Sequence, residues 1–162
     1  MPKVVCDSSP LIHLAKVGKL ELLREFFVEI LIPEAVYREC VTEGKKREDA
    51  KRIENAAWIR VVDIKNIDLK RAINTVLDEG ESETIVLALQ ESADLILLDD
   101  YEARELARTY GMRITGSIGV LIKAKYEGEI SSIGEMLKEL RSTGFWLSDD
   151  LYAKILRDEG EL

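Results

Sequence analysis

Carboxylates end two short apolar runs of this chain, at positions where side chains can take part in chemistry. Asp7 follows the run at 4–6, and the adjacent pair Asp99 and Asp100 follows the run at 95–98. Both runs are typical of short buried strands. In an open α/β sheet, ligands bind outside the carboxyl ends of the strands. We therefore expect these acids to lie close together in the folded protein.

Three further acids, Glu39, Glu81 and Glu83, lie on predicted helices near the same sheet edge. A cluster of acids in a chain with a single histidine favours an oxygen-ligand site for a hard divalent cation. Such a cation relieves the repulsion between neighbouring carboxylates. It also generates a nucleophilic hydroxide and stabilises charge on a phosphate, so the pattern indicates metal-dependent phosphodiester cleavage.

Each acid also has a purely structural interpretation. Asp7 precedes Ser8, Ser9 and Pro10, so it fits an N-cap or an Asx-turn. Glu39 fits a solvated helix surface. Acids at a helix start are stabilised by the helix dipole, which accounts for one or two of the glutamates around Gly80.

The doublet carries its own alternative, because one aspartate can cap the helix that begins near Tyr101. The other is then free to bind a metal. The residues leave open whether Asp99 or Asp100 takes the metal role.

Histidine and cysteine contribute little to the predicted chemistry. We interpret His13, the single histidine, as a packing or surface residue. Cys6 and Cys40 follow no zinc-site spacing. We expect both cysteines to be free thiols that fill the interior beside the acidic site.

The composition predicts one globular domain. The chain has 162 residues, of which 46% are hydrophobic and 33% charged. It lacks an apolar run long enough to span a membrane and lacks a signal-peptide pattern, so we expect a cytoplasmic protein without a membrane partner.

The net charge of −8 disfavours non-specific binding to nucleic acids. Five basic residues soften this exclusion, since they form a short stretch and a helical pair: Lys45, Lys46, Arg47, Arg104 and Arg108. They are candidates for guiding RNA phosphates, and a solvated helix face is the alternative interpretation.

Strand-like and helix-like segments alternate along the chain. Strands are predicted at about 3–6, 28–32, 58–62, 95–98 and 113–115. Helices are predicted from Ser8, at 20–26, from Glu34, and at 47–56, 68–77, 81–91, 101–110, 118–126, 132–142 and 148–158. This order predicts an α/β sandwich around a mainly parallel sheet. We expect a single domain over 1–162, with C-terminal helices from about 130 to 162.

Ordered short motifs give the chain a resemblance to a known family. They lie at 4–12 (VVCDSSPLI), 32–39 (IPEAVYRE), 77–85 (LDEGESETI), 97–100 (LLDD), 115–121 (TGSIGVL) and 144–148 (GFWLS). Together they resemble a PIN domain, in particular the prokaryotic PIN-like branch related to VapC toxins. The resemblance covers nearly the whole chain.

The resemblance implies a three-layer sandwich with a central, mainly parallel sheet of four or five strands and a central first strand. It implies an endoribonuclease that depends on Mg²⁺ or Mn²⁺. As implied catalytic and metal-binding residues it gives Asp7, Glu39, Glu83 and either Asp99 or Asp100. The chain departs from the toxins here, since they carry Thr-x-Asp where this chain has Asp-Asp.

The resemblance also implies accessory residues and partners. Glu81 is a reserve for the third acid, and Ser117 occupies a place where small hydroxyl residues hold substrate or water. The implied partners are an RNA substrate, a small antitoxin protein and a second copy of the chain in a homodimer.

Two other functions compete with the metal-dependent ribonuclease. One is a catalytically weak PIN-like domain that acts as a protein- or RNA-binding regulatory module. The other is an aspartate-phosphorylated receiver, in which an acid pair also binds Mg²⁺. The receiver is disfavoured because its acid pair follows the first strand, where this chain has Asp7 alone.

Overall fold

The computed structural model describes residues 2–162 and contains a central sheet of five parallel strands. The strands are β1 (Val4–Cys6), β2 (Ile30–Ile32), β3 (Ile59–Val61), β4 (Leu95–Leu97) and β5 (Ile114–Thr115). Their spatial order is β3-β2-β1-β4-β5. The chain thus builds outward from β1 to one side and then continues on the other, which makes the gap between β1 and β4 the switch point of the sheet.

The central strand β1 shows why these short segments form a sheet. All three of its residues are buried, as expected for parallel strands covered on both faces. Val5 lies opposite Leu31 of β2 and Ile96 of β4. Successive side chains enter opposite layers, so Val4 and Cys6 join one apolar core and Val5 joins the other.

Ten helices cover the sheet. They are α1 (Ser8–Lys16), α2 (Glu21–Phe27), α3 (Glu34–Tyr37), α4 (Glu48–Glu54), α5 (Ile67–Ile73), α6 (Glu79–Gln90), α7 (Tyr101–Thr109), α8 (Ser117–Tyr126), α9 (Ile133–Ser142) and α10 (Asp149–Asp158). Helices α5, α6 and α7 contribute to one core, while α1, α2, α8, α9 and α10 contribute to the other. Across residues 2–162, the helices are all too short or too polar for a membrane span.

The predicted three-layer α/β sandwich with a central first strand is confirmed. The element ends differ from prediction in two helices that matter for the site. Helix α6 begins at Glu79, two residues earlier than predicted, because Asp78 caps it. Helix α4 is shorter than the predicted 47–56 and less exposed, since Asp49, Ala50 and Ile53 are buried.

Helix α3 does not end at Tyr37 but widens into a π-helical turn at Arg38–Thr42. π-Helical turns inside helices are rare and are frequent at functional sites. Glu39 lies within this turn. The turn changes the direction in which the side chains leave the helix, and it therefore sets the position of this carboxylate.

Candidate active site

A cavity of about 850 Å³ opens where β1, β4 and β5 end. Five acids line it: Asp7, Asp78, Glu81, Asp99 and Asp100. The cavity therefore lies at the carboxyl edge of the sheet, next to the switch point between β1 and β4. Parallel strands with β1 and β4 as neighbours bring Asp7 and Asp99 to this edge.

Asp7 occupies the N-cap position of α1, but its side chain makes no capping hydrogen bond to the described chain. It is only 4% exposed, and its Oδ1 atom lacks a hydrogen-bond partner within residues 2–162. Burial raises the pKa of this carboxyl well above its usual range. A buried oxygen without a partner is costly, so it indicates a ligand that the fold is built to receive.

Glu39 lies beside the cavity, where the Ser8 hydroxyl is 3.5 Å from its carboxylate. Its Oε1 atom is also buried without a hydrogen-bond partner in the described chain. A Cβ atom at Gly80 would lie 1.9 Å from this oxygen, so the close approach of Glu39 to α6 requires glycine there. Burial, followed by the negative charge of Asp78, raises the pKa of Glu39 to about 7.

Asp99 is held firmly by hydroxyl and amide groups. The backbone N–H of Ser117 donates to Oδ1, and the hydroxyls of Ser117 and Ser9 donate to Oδ2, each at 2.7 Å. Gly116 permits this arrangement, because a Cβ atom there would lie 2.6 Å from Asp99 Oδ1. Ser117, predicted as an accessory residue, thus positions Asp99.

Asp100 has a different role from its neighbour. Its Oδ2 atom accepts a hydrogen bond from the Ala103 backbone N–H at 3.1 Å and caps α7. Asp100 caps the helix, so Asp99 is the member of the doublet whose position follows from side-chain bonds at the sheet edge. Asp100 still lines the cavity and adds negative charge.

Glu81 and Glu83 leave α6 on different sides. Glu81 lines the cavity and shares a capping box with Asp78. Burial, with the added charge of Asp78, raises its pKa to about 7.

Glu83 is buried against other partners. Its Oε1 atom accepts a hydrogen bond from the Ala35 backbone N–H at 3.1 Å, and its Oε2 atom pairs with the Lys70 ammonium. These bonds direct Glu83 toward α3 and α5. The geometry therefore favours Glu81 over Glu83 as the third acid of the site.

The predicted five-acid metal set is not assembled as one group. Within residues 2–162, no three or more His, Cys, Asp or Glu side chains are arranged to hold a metal ion. The two unpartnered oxygens of Asp7 and Glu39 nevertheless fit a hard cation. Mg²⁺ typically takes one or two protein carboxylates and completes its shell with waters and phosphate oxygens. This donor set meets that requirement.

The five predicted RNA-binding residues are distributed unequally around the site. Arg104 lines the cavity, and its Nη1 atom donates to the Leu98 carbonyl at 2.8 Å. Arg108 pairs with Glu105 on the same helix.

The basic stretch lies elsewhere, on the turn before α4. Arg47 pairs with the buried Asp49 at 3.2 Å, while Lys45 and Lys46 are exposed. Of the predicted basic residues, Arg104 is therefore the one that the fold brings to the acidic cavity.

The sequence interpretation missed the opposite wall of the cavity. His13 lines it, contrary to the expected packing or surface role, together with Tyr101, Phe145 and Trp146. The motif at 144–148 was the signal that contained two of these residues. Cys6 and Cys40 are buried free thiols, as predicted.

A family model described as a PIN domain matches residues 3–161 of the chain. The match spans far more than half of the sequence and includes every acid of the cavity. No curated protein matches the chain.

Proposed function

Since the chain belongs to the PIN-domain family, whose members are generally nucleases, we propose that it is a metal-dependent endoribonuclease. The observation that carries this proposal is the pair of buried, unpartnered carboxylate oxygens on Asp7 and Glu39 at the sheet edge. The fold leaves them unsatisfied while it satisfies the neighbouring Asp99 fully. Oxygens in this state are suited to a cation and its phosphate ligand.

The residues that would hold Mg²⁺ or Mn²⁺ are Asp7 and Glu39, with Asp99 and Glu81 completing the acidic surround. The cation, when bound, supplies a hydroxide nucleophile and charge stabilisation at the phosphate. Ser9 and Ser117 fix the Asp99 carboxylate, so that its charge faces the cavity without side-chain rearrangement.

A purely protein-based mechanism has less support from the geometry. The Nδ1 atom of His13 is 2.7 Å from the Thr143 hydroxyl oxygen, and that hydroxyl donates to the Leu140 carbonyl. His13 therefore donates through Nδ1 and is held as part of the cavity wall. Its pKa is lowered by burial, which keeps the imidazole neutral.

The first prediction concerns Asp7→Asn, which preserves the shape of the side chain and removes its charge. We expect it to abolish Mg²⁺- or Mn²⁺-dependent cleavage of single-stranded RNA, by at least about 100-fold, because a positioned group of this kind contributes 10²–10⁴-fold. We also expect it to abolish the rise in melting temperature that either cation causes in the wild type. Gel assays and thermal unfolding measure the two effects.

Asp150→Asn is the matched control, because Asp150 is exposed in the first turn of α10. It should cleave RNA and respond to cations as the wild type does. The proposal fails if wild-type protein shows neither cation-linked stabilisation nor RNA cleavage.

We propose further that the enzyme is the toxin of a toxin–antitoxin pair and acts as a homodimer. This role draws on the sequence resemblance to the VapC-related branch. Expression of the chain with a small protein encoded beside it should then give a stable complex that cleaves no RNA. A freely active enzyme that such a neighbour leaves unchanged would contradict the toxin role.

A further inference from the structure

The cavity has an aromatic wall as well as an acidic one. Trp146 lines the cavity and is 83% exposed, and Tyr101, which follows the capping Asp100 directly, lines it and is 73% exposed. Large aromatic side chains in such exposure lose hydrophobic stabilisation. Their place at the mouth of the acidic cavity indicates that a ligand covers them.

Trp146 is displayed on a segment that the fold holds in place. The segment 143–147 joins α9 to α10. His13 bonds the Thr143 hydroxyl at 2.7 Å and meets the ring of Phe145 edge to face, with 5.3 Å between the centroids. At the far end, Arg141 donates to the Leu147 carbonyl at 2.6 Å. Both ends of the segment are thus tied down around Trp146.

A positive charge lies between the acidic and aromatic walls. Arg104 lines the same cavity and is anchored by its bond to the Leu98 carbonyl. An anchored guanidinium recognises phosphate oxygens, because its N–H groups match their geometry. The cavity therefore combines carboxylates for a cation, a guanidinium for a phosphate and exposed aromatic rings.

We propose that Trp146 and Tyr101 form a base-binding subsite on which unpaired bases of single-stranded RNA stack, next to the acids. This inference rests on the proposed function and names its substrate class. Stacking on aromatic rings requires bases that are already unstacked from a partner strand, as in single-stranded loops and ends. The volume of about 850 Å³ is in the range of pockets that enclose most of a small ligand.

The test measures binding apart from cleavage. In the Asp7→Asn background with EDTA, fluorescence anisotropy follows a labelled single-stranded oligoribonucleotide and the same strand in a duplex. We expect Trp146→Ala to raise the Kd for the single strand by about 5- to 150-fold, the range that stacking of one base supplies. Trp146→Phe should restore most of the affinity, and duplex RNA should bind weakly to all variants.

Tyr126→Ala is the control, because Tyr126 is 87% exposed and lies at the end of α8, outside the cavity lining. It should leave the Kd unchanged. Equal Kd values for Trp146→Ala and Tyr126→Ala, or equal binding of duplex and single strand, would overturn the subsite. A change of mass with protein concentration that Trp146→Ala abolishes would assign the wall to a second copy instead and also overturn it.

The outcomes separate this inference from the proposed function. If the wild type cleaves RNA and Trp146→Ala cleaves it with the same KM, the nuclease stands and the subsite falls. If the wild type cleaves no RNA but Trp146→Ala alone weakens single-strand binding, the subsite stands and the nuclease falls.

Discussion

Neighbouring residues in this site perform different tasks because one position along the chain turns a side chain to a different partner. Asp99 accepts three hydrogen bonds from Ser9 and Ser117, and Asp100 caps α7. The two charges are brought together at low cost, since each is stabilised by its own donors. A doublet of this kind supplies both the end of a strand and the start of a helix.

The same division separates Glu81 from Glu83, and it gives the second prediction from single substitutions. Glu81→Gln should lower RNA cleavage by about 10-fold or more while leaving stability nearly unchanged, because glutamine keeps the capping box with Asp78. Glu83→Gln should lower the free energy of unfolding by about 1.5–3 kcal/mol, since it weakens charged hydrogen bonds to Lys70 and Ala35. Cleavage assays and urea unfolding distinguish the two effects.

The reverse pattern would return the third acid of the site to Glu83. Loss of cleavage in Glu83→Gln at unchanged stability, with full activity in Glu81→Gln, would show that the side chains rearrange when the cation and RNA bind.

At the scale of the elements, the C-terminal residues stabilise a helix start. Glu161 accepts hydrogen bonds from the backbone N–H groups of Ile133 and Gly134 and from the Ser132 hydroxyl, and it pairs with Lys125. An acid at a helix N-terminus is favoured by the helix dipole. This one carboxylate therefore ties the chain end to α8 and α9.

The third prediction tests this tie through its pH dependence. Partial burial alone would raise the pKa of Glu161, but Lys125 and the three donors of α9 lower it to about 2, from an ordinary value of 4.5. The folded state therefore gains stability from this group above pH 4.5, and it loses that gain as the pH falls toward 2. Glu161→Gln should cost about 2 kcal/mol at pH 7 and almost nothing near pH 2. Urea unfolding across this range measures the difference.

Glu129→Gln is the control for this change, because Glu129 is an exposed acid between α8 and α9. It should shift stability by no more than about 0.5 kcal/mol at either pH. An equal loss in both variants would show that general charge, and not the tie to α9, accounts for the effect.

At the scale of the whole molecule, the acidic site opposes folding in the absence of a cation. Burial raises the pKa values of Asp7, Glu39 and Glu81, the latter two to about 7. Between pH 4.5 and 7 the folded state then binds more protons than the unfolded state, so stability falls as the pH rises through this window. A bound cation reverses the effect, since it binds the deprotonated acids.

The fourth prediction follows from this linkage. Metal-free wild type should be less stable at pH 8 than at pH 5, by roughly 2 kcal/mol once solvent screening of the half-buried glutamates is allowed for. Asp7→Asn should be more stable than the wild type at pH 8 without metal, whereas Asp150→Asn should match it. Urea unfolding with EDTA checks both statements, and a wild type whose stability rises between pH 5 and 8 would contradict them.

Much of this architecture was predictable from local pattern. Short apolar runs alternating with helical segments predicted the sandwich, because a parallel strand covered on both faces must be apolar throughout. Strand ends predicted the place of Asp7 and Asp99, because parallel strands deliver their carboxyl ends to one edge. These properties depend on a residue and its near neighbours in the chain.

Other properties depend on contacts between distant segments, and the tertiary structure alone decided them. Glu81 reaches the cavity instead of Glu83 because Asp78 starts α6 early and Lys70 of α5 captures the second glutamate. Asp99 is fixed by Ser9 and Ser117, which lie 90 and 18 residues away along the chain. The direction of a side chain and the nearness of its partner follow from packing, and local propensity carries no information about either.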